Sequence, residues 1–152
     1  TRQIAAHFDW VHSLSRGKIA HRLSEQRPAD LPPLNVCIQV NVSGEASKSG
    51  ISPDAALALA HAIAALPNLR LRGFMAIPEP SQDPSLLSGR FRQVAELLQA
   101  ARISGLDVDT LSMGMSADLE AAICEGATLV RVGTAIFGAR PAMENNQQEQ
   151  AL

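Results

Sequence analysis

The 152-residue sequence contains no tyrosine, and aromatic side chains make up only 3% of it. That scarcity excludes the stacked aromatic platforms on which single-stranded nucleic acid is bound. Charge is scarce too: 13 basic against 15 acidic side chains leave a formal net charge of −2 at pH 7. No basic footprint for nucleic acid or an anionic membrane results. The two cysteines, Cys37 and Cys124, are far apart and outside any metal-ligand spacing. Neither a zinc site nor a disulfide framework is expected, and a reducing, cytoplasmic setting is the simplest reading. No apolar run is long enough to span a bilayer.

What is present is an ordinary globular composition, 46% apolar and 18% charged, at a length that suits one domain with a real core. The spacing predicts a short strand over 9–14, then a helix over about 16–26 capped by Ser15. Residues 35–42 (NVCIQVNV) form the cleanest strand. Val36, Ile38, Val40 and Val42 share one face, and Cys37, Gln39 and Asn41 the other. A helix from Ser52-Pro53 to about Leu66, a strand over 71–77 and a long helix over 85–103 follow. A strand at 110–113, a helix over 117–125 and a strand over 128–132 complete the pattern. The opening TRQIAAHF reads as the tail of a helix, and 141–152 as a disordered polar tail after a domain over 1–140. Strict alternation implies parallel strands with right-handed crossovers. The fold class expected is α/β: five βα units, either an open sheet or the last five of a TIM-like (β/α)8 barrel left as an open partial barrel.

The stretch 110–138, TLSMGMSADLEAAICEGATLVRVGTAIFG, carries the chemistry. Two small-residue turns, around Ser112, Gly114 and Ser116 and around Gly133 and Thr134, each follow an apolar strand and precede a helical pattern. Unpaired N–H groups and the dipole at helix starts, with hydroxyl donors beside them, suit a phosphate group. Each turn also has a plain structural explanation, and Ser116 is a good N-cap with or without a ligand. Arg131, between Val130 and Val132, needs a partner: a structural carboxylate, solvent at the strand end, or a bound cofactor. Trp10 and His12 share a face, and His12 reads as a satisfied interior histidine rather than a catalyst. Met75, Met113 and Met115 read as core or pocket lining, both cysteines as small buried hydrophobes, and Lys48 as solvated in its Ser/Gly loop.

The segments HFDWVHSL, LPPLNVCIQVNVSGEASKSG, LRLRGFMAIPEP and LSMGMSADLEAAICEGATLVRVGTAIFGAR, in this order over about residues 1–140, resemble the pyridoxal phosphate homeostasis proteins. These are relatives of the alanine racemase N-terminal barrel. SMGMSADLEAAI and VRVGTAIFG together are highly specific. The resemblance implies a single-domain barrel that binds pyridoxal 5′-phosphate (PLP), with no established catalytic reaction, acting as an intracellular carrier or regulator. It implies a monomeric full-length parent and PLP-dependent apo-enzymes as partners. By position it places Ser112, Gly114 and Ser116 in one phosphate-side segment, Gly133 and Thr134 in the other, and Arg131 near the pyridine nitrogen. An arginine there favours a neutral ring, a poor electron sink.

The departure from the family concerns the lysine that holds the cofactor covalently. It lies on the first barrel strand, and this sequence is expected to start after the third, as an N-terminally truncated chain. Lys18 and Lys48 are the only lysines and neither matches that position. Two alternatives stand beside the carrier: a PLP-dependent racemase or decarboxylase, for which no tyrosine acid/base is available here, and a non-functional fragment.

Overall fold

The computed structural model of this chain describes residues 1–44 and 49–138. Lys48 and the tail 141–152 lie outside the described residues. The elements are α1 (Arg2–His7), β1 (Trp10–Leu14), α2 (Gly17–Gln26), β2 (Leu34–Val40), α3 (Pro53–Ala64), β3 (Leu69–Ala76), α4 (Pro84–Ile103), β4 (Thr110–Met115), α5 (Leu119–Cys124), β5 (Leu129–Arg131) and α6 (Thr134–Phe137). All neighbouring strands are parallel, and their spatial order is the chain order. Consecutive parallel strands need a crossover between each pair, and the helices supply it. The result is an open, curled half-barrel, with β1 and β5 at its two edges.

Apolar alternation in β2 decides which face the helices cover. Val36, Ile38 and Val40 are fully buried in one core with Ala56, Ala60 and Ile63 of α3 and Phe91, Val94 and Leu98 of α4. Cys37 and Gln39 are buried on the opposite, inner face, as the alternation requires. Burial pushes the Cys37 thiol up to about 12, so it is a packed hydrophobe and not a nucleophile. Cys124, expected to be buried, is exposed at the end of α5.

One irregularity in β3 is not visible as a period. Val36 pairs with Leu71, but Cys37 pairs with Gly73, so β3 carries one extra residue. Leu71 therefore faces the helices before the bulge, and Phe74 and Ala76 do so after it. Arg72 is left free to turn to the inner face. Gly73 sits at φ +148, and a Cβ there would run into the backbone carbonyl of Thr110.

Three local details differ from the sequence expectation. Arg16, not Ser15, occupies the N-cap of α2 and makes no capping bond. Ser116 does not cap α5, because the chain turns once more and Asp118 becomes the N-cap. The Asp118 carboxylate accepts the Met115 N–H at 2.6 Å, pinning the end of β4. Further along, Arg27 is buried although nothing in the pattern marked it. It donates to the carbonyls of Ala5 (2.7 Å), Phe8 (2.8 Å) and Pro32 (2.8 Å), satisfying the end of α1 and fixing the loop before β2.

Gly73→Ala combines positive-φ strain with a backbone clash. It is expected to cost roughly 2–5 kcal/mol, read as a lowered urea midpoint at unchanged m-value. Gly44→Ala, with open space around its Cβ, meets only the strain of φ +72 and should cost less.

Candidate functional site

The inner face of the half-barrel carries two cations with opposite circumstances. Toward the amino ends of the strands, Arg72 stacks over Trp10 at 4.7 Å and pairs in a fork with Asp109, Nε to Oδ1 at 2.9 Å. Its Nη1 also donates to Asn35 Oδ1 at 3.2 Å. This ion pair holds Asp109 below the usual carboxylate range, through the Arg72 hydrogen bond first. The Arg72 charge is thereby balanced by a carboxylate.

Toward the carboxyl ends, Arg131 is half-buried and has no carboxylate within ion-pair distance among the described residues. It is held by neutral oxygens instead. Nη1 donates to the Ser112 carbonyl (2.8 Å) and to Ser112 Oγ (2.6 Å), and Nη2 donates to the Ala76 carbonyl (2.9 Å). Of the three destinies open to Arg131, the structural carboxylate is therefore excluded among the described residues. Burial lowers the Arg131 pKa, yet a guanidinium remains charged at any working pH. Two of its five donors, Nε–H and one Nη2–H, remain without a partner among the described residues.

Beside Arg131 lies a cleft of about 570 Å³ at the carboxyl ends of β3, β4 and β5. Ala76, Ile77, Pro78, Leu87 and Met115 give it apolar walls, and Gly114, Ser116, Asp118, Arg131 and Thr134 supply polar ones. This is the end of parallel strands where ligands bind in α/β folds, and the size suits a small molecule. Of the expected site residues, Gly114, Ser116, Arg131 and Thr134 line the cleft, and Gly133 adjoins it as the N-cap of α6. Ser112 does not line it. Ser112 is fully buried, with its hydroxyl between Arg131 and His12 Nδ1, the latter at 2.8 Å.

The two turn glycines differ in what demands them. Gly114 has φ +91, and a Cβ there would come within 2.6 Å of the Ala122 Cβ. Its glycine is required by the close packing of α5 on β4. Gly133 has ordinary φ and nothing within 4 Å of an added Cβ. Packing does not explain that glycine. The Ala135 N–H reaches Ser116 Oγ at 3.4 Å, which ties the two turns to each other. Thr134 opens α6, so its N–H lies outside the helical ladder. Ser116 and Thr134 thus place hydroxyl groups on the cleft wall. Among the described residues the one acidic group on the wall, Asp118, is engaged with the Met115 N–H.

His12 and the Ala76 carbonyl were not singled out as site residues by sequence. His12 carried a signal in sharing the inner face with Trp10, whereas a backbone carbonyl carries none.

A half-barrel of parallel strands with a cleft at its carboxyl edge defines a segment of the (β/α) barrel class. Residues 1–141 match the family model "alanine racemase, N-terminal domain", and the chain belongs to that family. It is 66% identical over 140 residues to the pyridoxal phosphate homeostasis protein of Pseudomonas aeruginosa, covering 92% of this chain and 60% of that protein. With the protein of the same name from Vibrio cholerae it shares 57% over 145 residues, 95% and 61% of the two chains. The chain thus spans about three-fifths of these relatives' length. Among solved structures it resembles PipY of Synechococcus elongatus with PLP bound, at TM-score 0.81 and 30% identity, over 90% of this chain and 64% of that one. The alanine racemase of Corynebacterium glutamicum, at TM-score 0.65 and 20% identity over 93% of this chain and 39% of that one, shares the fold.

His12 has its pKa lowered from 6.5, by desolvation first and by the nearby Arg131 charge second. A base whose folded pKa lies below its unfolded one contributes stability that is complete above 6.5 and is lost as pH falls through the folded value. Urea unfolding at pH 7 and pH 5 should show lower stability at pH 5, and His12→Asn should reduce that difference.

Proposed function

We propose that this chain forms the phosphate and ring-nitrogen side of a PLP site in a pyridoxal phosphate homeostasis protein, a non-catalytic carrier or regulator of the cofactor. The observation that carries this reading is Arg131: a half-buried cation at the carboxyl ends of the strands, held among the described residues by neutral oxygens and no carboxylate. The donor set and the cleft fit the cofactor. Ser116, Thr134 and the backbone around Gly133 would hold the phosphate, and Gly114 keeps α5 close enough to shape that pocket. Arg131 would donate to the pyridine nitrogen, and the apolar walls would face the ring. The relatives' names and the PLP-bound PipY structure support the same assignment.

When bound, the cofactor supplies an electron-poor ring and an aldehyde. The residues here restrain the first. A permanent cation at the ring nitrogen disfavours protonation of that nitrogen, because the guanidinium neither gives up its own proton nor tolerates a second positive charge beside it. An unprotonated ring stabilises a carbanion poorly, which suits storage or delivery rather than turnover. The two free thiols, Cys37 and Cys124, suit a reducing, cytoplasmic setting.

The test is calorimetric titration of the chain with 4-deoxypyridoxine 5′-phosphate. This analogue keeps the phosphate and ring nitrogen and lacks the aldehyde that would react with surface amines. Arg131→Gln should weaken binding by roughly tenfold or more, the loss of one charge-assisted hydrogen bond. Gly133→Ala should weaken binding while leaving the urea midpoint unchanged, since no described residue would meet the added methyl. Wild-type affinity in both variants would remove the reading. Purified protein should not racemise alanine.

A further inference from the structure

Ser112 is 0% exposed, and its hydroxyl has two partners among the described residues, Arg131 Nη1 and His12 Nδ1. A serine hydroxyl owns one proton and two lone pairs. Arg131 can only donate, so it occupies a lone pair. A buried hydroxyl cannot give its proton to solvent, and leaving it unmade is costly. The proton must therefore go to His12 Nδ1, which fixes the neutral imidazole with its own proton on Nε2. The chain of bonds then has one direction, from Arg131 Nη1–H to Ser112 Oγ and from Ser112 Oγ–H to His12 Nδ1. Both Nη1 protons of Arg131 are consumed on Ser112, the carbonyl and the hydroxyl, and one Nη2 proton is consumed on Ala76. Among the described residues, the Nε–H and the remaining Nη2–H are left without a partner and can face a ligand.

We propose that His12, 100 residues upstream of Ser112, is a positioning residue for the cofactor ring. By taking the Ser112 proton it keeps the serine lone pair on Arg131, and so fixes which edge of the guanidinium meets the ring nitrogen. Without an acceptor at that point, the Ser112 hydroxyl is free to rotate its proton toward the guanidinium, and one of the three pins on Arg131 is lost. The inference rests on the PLP reading for its consequence, but the bond chain exists without any ligand.

Side-chain geometry separates this role from bulk packing. Asn Oδ1 occupies the position of His Nδ1, Gln Oε1 reaches instead toward the position of Nε2, and Leu offers no acceptor. Titration with 4-deoxypyridoxine 5′-phosphate should therefore show H12L and H12Q weakened by about fivefold, with H12N recovering most of that loss. In an R131Q background, H12L should cost nothing further, because its effect runs through Arg131. Equal affinity of H12L and wild type overturns the proposal, as does H12N no better than H12L, or a full H12L penalty persisting in R131Q. Absence of binding by folded wild-type chain would instead remove the PLP reading, and the bond chain is then judged without ligand. Water exchange of the Arg131 guanidinium protons, followed by nitrogen-15 NMR, should accelerate in H12L and not in H12N. Unchanged exchange in H12L overturns the proposal by that route.

Discussion

The guanidinium of Arg131 ties together the carboxyl ends of β3, β4 and β5. β5 is only three residues long, and no residue in it is fully buried. As an edge strand it is paired with β4 through few ladder bonds, with the register shifting between Ser112 and Met115. Arg131 compensates by reaching across two strands at once, to Ser112 on β4 and to Ala76 on β3. The same side chain fixes the end of the last strand, forms one wall of the cleft, and leaves its free edge there. A neutral residue of similar size could make part of that framework, but it would leave no charge at the carboxyl ends of the strands.

The contrast with Arg72 explains why one interior cation is structural and the other available. Arg72 has a carboxylate in a fork and an aromatic face beneath it, so its charge is spent inside the protein. Arg131 has only dipoles. Dipoles solvate a cation without neutralising it, and a half-buried charge of that kind attracts an acceptor or anion from outside. The two arginines sit at opposite ends of one inner face, and among the described residues the one at the carboxyl ends of the strands is left without a carboxylate.

The glycines add a second lesson about sites. Gly114 and Gly133 look alike in sequence, each in a small-residue turn after a strand. Gly114 is demanded by α5, whose Ala122 would collide with any Cβ. Gly133 is demanded by nothing among the described residues. Only in the folded state does one glycine become a packing requirement and the other a place kept open.

The sequence by itself determined the alternation of strands and helices, the parallel sheet, the helix-facing side of β2 and the pair of turns that flank the cleft. These follow from local periodicity and from turn residues, which act over a few positions and survive any tertiary arrangement. It missed the Gly73 bulge, because an extra residue in a strand leaves apolar spacing that still reads as β. It misplaced two caps, at Ser15 and Ser116, because a cap depends on where the chain turns and not on which hydroxyl is nearby. Tertiary structure alone decided that Ser112 faces Arg131 and His12 rather than the cleft, that Arg131 lacks a carboxylate among the described residues, and that Arg27 is buried beneath α1. Each of these depends on contacts between residues 19 or more positions apart. Such contacts exist only once the sheet has closed the distance between them.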